Sequence, residues 1–230
     1  MTVSTAPDRQ IRIALIVPSS NTVMENDFHR ALPKDRFTVH TDRMYLIETT
    51  REAEIAMIDL AGAAAKDLGT VGPDLLVFGC TSAGALFGVE YDKKLCEELG
   101  ALAGCRGMGV ISSASQALER AGAGKVALIT PYNEDLTRSV AEALAGGGRE
   151  IVSAHGMGIT VNVELCDPTP TEIVAFAKEK LAGQTFDTLF VSCTNFRALE
   201  AKAMLEQAFA GVTVITATSA VLDSITAAFD

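Results

Sequence analysis

The chain has 230 residues, 48% of them apolar and 21% charged, a composition typical of globular proteins that excludes a collagen-like or intrinsically disordered chain. With 29 acidic and 19 basic residues the net charge is −10, and no basic block is longer than Lys93-Lys94, so neither nucleic acid nor acidic membrane surfaces are expected partners. The charge-free apolar stretch at residues 75–89 is shorter than the about 20 residues of a transmembrane helix, so no membrane partner is expected.

Short apolar runs alternate with helical patterns along the whole chain. The runs predict strands near residues 11–17, 37–40, 75–78, 107–110, 126–129, 151–154, 188–191 and 212–215. The helical patterns predict one helix that ends near residue 32 and others at residues 52–68, 90–99, 113–120, 134–144, 171–181, 198–208 and 220–228. This alternation is typical of parallel sheets with helices on both faces, so the predicted fold class is α/β.

The chain also contains an internal repeat. Residues 11–18 (IRIALIVP) resemble residues 124–131 (GKVALITP), and residues 74–81 (DLLVFGCT) resemble residues 187–194 (DTLFVSCT); the offsets are 124 − 11 = 113 and 187 − 74 = 113. Two matches at one offset predict two similar Rossmann-like (flavodoxin-like) halves, residues 1–111 and 112–230. A pseudo-twofold axis would relate the halves and place Cys80 and Cys193 across a cleft.

The cysteines and the N-terminus indicate a compartment. The five cysteines are an odd number without a CxxC spacing, which favours reduced thiols. Residues 1–10 are polar and lack the apolar core of a secretory signal, so a cytoplasmic location is expected. The three histidines are scattered and form no metal-binding motif, so no metal is expected.

The repeated cysteines are the strongest candidates for chemistry. Cys80 and Cys193 each follow a predicted parallel strand and precede a threonine, at the sheet edge where ligands bind in α/β folds. Backbone N–H groups there favour a thiolate and bind anionic ligands. Buried free cysteines are common as small hydrophobic residues, but their symmetric placement favours a catalytic pair. The remaining cysteines, Cys96, Cys105 and Cys166, lack this arrangement and are interpreted as structural.

Polar side chains in the loops next to these strands are candidates for substrate binding. They are Ser20, Asn21, Thr81, Ser82, Tyr132, Asn162, Thr194 and Asn195. Ser20 or Asn21 would serve equally as a helix N-cap, and Arg197 fits a helix-end pairing better than a substrate contact. The sequence contains no GxGxxG before a helix, no GxxxxGK[ST] and no GxSxG, so no cofactor is expected.

Taken together, the duplicated halves, the two Cys-Thr loops and residues 18–22 (PSSNT) resemble the aspartate/glutamate racemase superfamily. Within it, the resemblance is to the branch of maleate cis-trans isomerases and arylmalonate decarboxylases, and it runs from about residue 11 to 228. Arylmalonate decarboxylases have a small residue in place of Cys80, so the presence of both thiols favours an isomerase. The residues at 81–83 and 194–196 are more hydroxylated than the loops typical of maleate isomerases.

The resemblance implies roles for individual residues. Cys80 would add to the double bond of a small unsaturated dicarboxylate, and Cys193 would give and then take a proton. Asn21, Tyr132 and Asn162 would hold the two carboxylates and the enediolate. Relatives of this kind would also imply a homo-oligomer, either a dimer or a tetramer.

Two other functions are compatible with the residues. A racemase or decarboxylase acting beside a carboxylate would use the same thiols as acid and base, without a covalent adduct. A ligand-binding module would also use two α/β halves around a cleft, without chemistry.

Overall fold

The computed structural model of the chain describes residues 9–230, so the interpretation of residues 1–10 rests almost entirely on residues outside that range. The first half contains, in chain order, β1 (Ile11–Pro18), α1 (Met24–Ala31), β2 (Phe37–Met44), α2 (Arg51–Ile58), α3 (Ala61–Gly69), β3 (Leu75–Phe78), α4 (Thr81–Ala85), α5 (Val89–Ala103), β4 (Arg106–Gly109) and α6 (Val110–Arg120). The second half contains β5 (Lys125–Thr130), α7 (Glu134–Leu144), β6 (Glu150–Gly156), a 3-10 helix (Asn162–Cys166), α8 (Pro170–Lys180), β7 (Thr188–Val191), α9 (Ala198–Ala208), β8 (Thr213–Thr216) and α10 (Ala217–Phe229). No helix within residues 9–230 is long and apolar enough to cross a bilayer.

Each half is built around one four-stranded parallel sheet. The strand orders are β2-β1-β3-β4 and β6-β5-β7-β8, which are the same topology. In each sheet the chain moves to one side of the first strand and then to the other, so the strand order reverses between β1 and β3 and between β5 and β7. Ligands in open α/β sheets bind at this reversal, beyond the carboxyl ends of the strands. The predicted α/β class with two similar halves is confirmed.

The internal repeat extends to the pairing of the strands. Ile13 pairs with Leu75 in the first sheet, and Val126 pairs with Thr188 in the second. Both partners are displaced by the same number of residues, since 126 − 13 = 113 and 188 − 75 = 113. The segments that follow β3 and β7 therefore begin at equivalent points of the two sheets.

The last strand of each sheet departs from this repeat. β4 pairs with β3 from Arg106 and β8 pairs with β7 from Thr213, an offset of 213 − 106 = 107. The first half thus has six more residues between its third and fourth strands. Helix α4 lies in this longer connection, while the equivalent part of the second half forms only turns before α9.

An aspartate at the start of the third strand anchors each sheet. The Asp74 carboxylate accepts the backbone N–H of Arg12 at 2.8 Å, and the Asp187 carboxylate accepts that of Lys125 at 2.7 Å. The backbone N–H of Asp74 also donates to the carbonyl of Arg12 at 2.9 Å, and that of Asp187 donates to the carbonyl of Lys125 at 3.0 Å. The repeated aspartates therefore hold the beginning of β1 beside β3 and of β5 beside β7.

Strand β1 contributes its two faces to two hydrophobic cores. Ile13, Leu15 and Val17 belong to the larger core, and Ala14 and Ile16 belong to the smaller one. The larger core continues through α6 and α10, which pack against each other, into β5 of the second half. The two halves therefore share buried surface. The division between residues 111 and 112 stays a prediction, and it falls inside α6.

Three local predictions were wrong. The segment predicted as one helix at residues 52–68 forms two helices, α2 and α3, separated by a turn at Asp59-Leu60. Helix α2 packs against α4, whereas α3 packs against α5 and β2, so the turn lets each helix bury its own face. Thr81 and Ser82, predicted in a loop, begin helix α4. Asn162, also predicted in a loop, begins the 3-10 helix.

The close packing of β4 on α5 gives a test of the fold. A Cβ at Gly107 would overlap the backbone carbonyl of Cys96, so we expect Gly107→Ala to destabilise the protein by about 1–3 kcal/mol. Gly62→Ala, within helix α3, is the matched control. A Cβ at Gly62 would lie 3.7 Å from the Leu102 side chain, an ordinary contact, so this substitution should stabilise the protein by about 0.5–1 kcal/mol. Urea unfolding measures both changes, and equal midpoints would contradict this packing.

Candidate active site

The site lies where four loops meet at the carboxyl ends of β1, β3, β5 and β7. The loops are residues 19–22, 79–80, 131–133 and 192–195, two from each half. Side-chain and backbone hydrogen bonds connect the loops of one half to those of the other. The predicted convergence of the Pro-Ser-Ser-Asn loop and the two Cys-Thr loops is therefore observed in the structure.

Cys80 lies two residues beyond β3, at the N-cap of α4, and is 3% exposed. Its thiol contacts Glu54 Oε2 at 3.4 Å and Ser82 Oγ at 3.6 Å. Burial raises the pKa of Cys80 well above its usual value, and the nearby Glu54 carboxylate raises that pKa further, whereas the backbone N–H of Ala83 lowers it. The thiol is therefore neutral in the resting protein.

Glu54 is a buried acid in contact with this thiol, and sequence analysis did not identify it. It lies on α2, is 0% exposed, and accepts a hydrogen bond from the Ser82 hydroxyl at 2.5 Å. Burial raises the pKa of Glu54 to about 7, although the hydrogen bonds from Ser82 and Cys80 lower it. Glu54 and Met57 are the two buried residues of α2 and lie on one face of that helix, and a carboxyl on an otherwise apolar face was the available signal.

Cys193 occupies the equivalent place in the second half but has a different backbone. Its φ is +90°, the one positive φ of a non-glycine residue in the described part of the chain. The Asn195 N–H donates to its sulfur at 3.3 Å, and the Tyr132 hydroxyl also hydrogen-bonds to it. Burial raises the pKa of Cys193 to about 12, and the Tyr132 and Asn195 donors offset part of that rise.

Tyr132 interacts electrostatically with both thiols. Its side chain is 2% exposed, and burial raises its pKa well above the usual value. Coulombic interactions with Cys193, Cys80 and Glu54 raise that pKa further. The phenol therefore stays protonated and is a hydrogen-bond donor within the field of both sulfurs.

Asn21 and Thr194 form a buried contact between the halves. The Asn21 amide donates to Thr194 Oγ1 at 3.2 Å, and the Thr194 hydroxyl donates to the carbonyl of Gly79 at 2.9 Å. The side-chain oxygen of Asn21, Oδ1, accepts hydrogen bonds from the backbone N–H groups of Val23 and Met24, both at 3.0 Å. The N-cap residue of α1 is Val23, so the interpretation of Asn21 as the N-cap was wrong; its side chain instead binds the backbone of the two residues where the helix begins.

Asn195, Asn162 and Ser20 form a second such contact. Asn195 Oδ1 accepts the Thr22 N–H at 2.8 Å, and Asn195 Nδ2 donates to the Asn162 carbonyl at 2.7 Å. Asn162 Nδ2 donates to Ser20 Oγ at 2.6 Å, and Ser20 Oγ donates to the carbonyl of Leu46 at 2.6 Å. The polar atoms of Ser20 and Asn195 are therefore engaged within the protein.

Thr81 differs from these residues because its hydroxyl has no partner. The side chain is 1% exposed, and Oγ1 makes no hydrogen bond within residues 9–230. Unpaired buried hydroxyls are uncommon in folded proteins. Among the predicted site residues, the Thr81 hydroxyl is thus a buried group still able to bind a ligand.

The other candidate residues make no hydrogen bond to the Cys80 or Cys193 thiol within residues 9–230, although Cys166 is close enough to Cys193 to raise its pKa. Cys96 is buried in α5, Cys105 lies between α5 and β4 at the opposite end of the first sheet, and Cys166 ends the 3-10 helix. Arg197 pairs with Glu200 at 2.8 Å, the helix-end interaction expected for it. Within residues 9–230, no three His, Cys, Asp or Glu side chains are grouped in a way that would hold a metal ion.

Comparison with known proteins identifies relatives of this fold. Residues 13–228 match the family described as arylmalonate decarboxylase. The maleate isomerase of Geobacillus stearothermophilus is 29% identical over 205 residues, which are 84% of this chain and 82% of that protein. The maleate isomerase of Pseudomonas putida KT2440 is 28% identical over 239 residues, covering 95% of this chain and 92% of that protein.

Solved structures share the whole fold. The maleate isomerase of Pseudomonas putida S16 superposes with a TM-score of 0.89 at 23% identity, covering 96% of this chain and 94% of that one. A mutant of the Nocardia farcinica maleate cis-trans isomerase with a covalently bound succinylcysteine intermediate gives 0.87 at 24%, covering 96% and 94%. Arylmalonate decarboxylase gives 0.78 at 21%, covering 95% and 92%.

The backbone of Cys193 gives a test of the site. A left-handed φ is unfavourable for any residue with a Cβ, so we expect Cys193→Gly to be more stable than Cys193→Ala by about 1 kcal/mol. The same pair at Cys80, where φ is −125°, is the control, and there glycine should be the less stable variant. Chemical unfolding of all four variants measures this, and an identical order at both positions would contradict the strained geometry.

Proposed function

The chain belongs to the arylmalonate decarboxylase family, and from this premise we propose that it is a cofactor-independent cis-trans isomerase of a small unsaturated dicarboxylate, of the maleate-to-fumarate type. The observation that carries the proposal is the pair of buried thiols after β3 and β7 at one site between the halves. The relatives named maleate isomerase support the substrate class.

We propose that Cys80 is the nucleophile. Addition of its sulfur to one alkene carbon converts the double bond into a single bond, about which rotation is easy. Elimination from the rotated adduct then gives the trans isomer, and one high barrier is replaced by lower ones. The succinylcysteine intermediate of the Nocardia farcinica relative is an adduct of this type and supports the step.

Cys193 is the proposed proton donor and acceptor. Addition at one carbon moves negative charge towards the carboxylate on the neighbouring carbon, and Cys193 protonates that carbon. The thiolate that this leaves would be stabilised by the Tyr132 hydroxyl and the Asn195 N–H, which already bind its sulfur. The reverse transfer restores the double bond after rotation.

The proposed substrate-binding residues form two sets, one that contacts the substrate and one that positions other residues of the site. Thr81 has a free buried hydroxyl, and Asn21, Asn162 and Tyr132 lie next to the thiols or at the contact between halves; we assign the carboxylates to these four. A second set acts indirectly, by holding Asn21, Asn162 and Cys80 in place. That set is Ser20, Ser82, Thr194 and Asn195.

The test is proton NMR of the reduced protein with maleate in deuterated buffer, with an arylmalonate and aspartate in parallel. We expect fumarate from maleate, and a loss of about 10²–10⁴-fold or more in turnover for Cys80→Ala and for Cys193→Ala. Cys105→Ser should keep the wild-type rate, because Cys105 lies at the other end of the sheet.

Intact-protein mass spectrometry separates the alternatives. Cys193→Ser incubated with maleate should gain the mass of one substrate molecule, located on the Cys80 peptide. Carbon dioxide release or deuterium incorporation from another acid, without any adduct, would instead establish the acid-base alternative. Near-normal reactivity of both thiols toward an alkylating agent, without protection by dicarboxylates, would indicate a binding module.

We also propose that the chain forms a homo-oligomer, a dimer or tetramer, in the cytoplasm. The exposed apolar side chains of Tyr45 and Ile47, 68% and 53% exposed, support a subunit contact, and the five free cysteines support a reducing compartment. Light scattering during size-exclusion chromatography should give two or four chain masses, and Tyr45→Glu should lower that number. A single chain mass for the wild type would contradict the proposal.

A further inference from the structure

Glu54 touches the sulfur that the proposed function makes the nucleophile. We propose that Glu54 is the catalytic base that takes the Cys80 proton as that sulfur attacks and returns it when the adduct breaks down. The identity of the substrate rests on the proposed function, whereas the proton transfer between Cys80 and Glu54 rests on the geometry of this site.

Two hydrogen bonds hold the carboxyl group in position for this role. Glu54 Oε2 is 3.4 Å from the Cys80 sulfur, and Oε1 accepts from the Ser82 hydroxyl at 2.5 Å. Ser82 Oγ lies 3.6 Å from the same sulfur, so the three groups form a closed triangle. A proton on the thiol therefore already points along a path to a carboxylate oxygen, and that oxygen cannot turn away without breaking the bond to Ser82.

The helix that carries Glu54 is itself held firmly. The Thr50 side chain caps the start of α2 by accepting the Ala53 N–H at 3.3 Å. Just before it, the Thr49 N–H donates to the carbonyl of Thr160 at 2.8 Å, across the two halves. Contacts with both halves therefore help to position helix α2 relative to Cys80.

Burial of this carboxyl group is costly for the fold. Glu54 is 0% exposed, and it makes no ion pair with any Lys, Arg or His within residues 9–230. A buried ionised carboxyl without such a partner is destabilising, and a neutral amide of the same shape would avoid that cost while its oxygen accepted from one of the two donors. A purely structural role does not account for an acid at this position, whereas proton transfer requires one.

The pKa values of Cys80 and Glu54 favour proton transfer between them during attack on the substrate and not in the resting protein. Burial raises the pKa of Glu54 to about 7, so a large fraction is ionised at neutral pH, while burial holds the pKa of Cys80 well above its usual value. The other titratable groups in the field of Glu54 are Cys193 and Tyr132, and their raised pKa values keep both neutral there. Glu54 is therefore the group in this site that is ready to accept a proton.

The proposed step balances in atoms and charge. The Cys80 S–H proton moves to Glu54 Oε2 while a sulfur lone pair forms the bond to one alkene carbon. The π electrons move to the neighbouring carbon, which takes the proton of Cys193. The negative charge passes from Glu54 to the Cys193 sulfur, where the Tyr132 and Asn195 donors receive it, and every movement reverses on elimination.

The test is alkylation of Cys80 by iodoacetamide as a function of pH, followed by mass spectrometry of the Cys80 peptide. Because the carboxylate form of Glu54 is the base, the wild-type rate should rise with pH to a plateau, with its midpoint near pH 7. In Glu54→Gln that rise should vanish and reactivity appear only at a higher pH than for an ordinary thiol, because burial still raises the pKa of Cys80. At neutral pH we expect a loss of about 10²-fold.

Two further variants complete the design. Glu52→Gln, on the exposed face of the same helix, is the matched control and should keep the wild-type profile. Glu54→Asp keeps a titrating carboxyl on a shorter side chain, so it should retain the pH-dependent rise at a lower rate, and with the wild type it carries the test if Glu54→Gln does not fold. A structural role predicts that Gln, with the same shape, leaves the profile unchanged.

The outcomes separate this inference from the proposed function. If the profile of Glu54→Gln matches that of Glu52→Gln, or if wild-type Cys80 shows no rise near pH 7, Glu54 is not the base, whatever the substrate is. If the rise depends on Glu54 but maleate is not isomerised, the proton transfer stands and the proposed substrate is wrong.

Discussion

The hydroxyl group of Thr194 joins the two loops that carry the cysteines. It donates to the carbonyl of Gly79, the residue before Cys80, and it accepts from the buried amide of Asn21. All three groups are shielded from water, so loss of one would leave polar atoms of the others unpaired, which is costly. The relative placement of the two thiols therefore depends on a contact between the halves, and neither half would define it alone.

A second set of contacts closes the site and positions the acid. Glu48 forms an antiparallel bridge with Val161, and the Asn162 N–H donates to the carbonyl of Ile47 at 2.7 Å. This pairing leads directly into α2, which carries Glu54 to the Cys80 thiol. The same interface that aligns the loops thus also provides the chemical surroundings of the first cysteine.

The two halves are similar in topology but different in chemistry. Cys80 faces the Glu54 carboxylate, a proton acceptor, whereas Cys193 faces the Tyr132 hydroxyl and the Asn195 N–H, which are donors. Burial keeps both thiols neutral at rest, because their pKa values lie above the usual range. The repeat supplies two equivalent strand ends, and the side chains around each one give the two sulfurs different surroundings.

The sequence by itself determined the α/β class, the repeat and the position of each cysteine beyond a buried strand. These features are local: apolar runs and helical periodicity depend on neighbouring residues, and the offset of 113 residues is visible in the letters alone. Helices α7 and α9 and strands β3 and β7 have the predicted bounds, because the boundaries of their patterns are clear.

Only the tertiary structure decided which side chains meet. Glu54 lies 26 residues before Cys80, and Asn195 lies 173 residues after Thr22, so no local pattern joins either pair. The break between α2 and α3 follows from packing on different partners, and the positive φ of Cys193 is set by the turn before α9. Such contacts depend on how the halves pack together, a long-range property that periodicity along the chain does not encode.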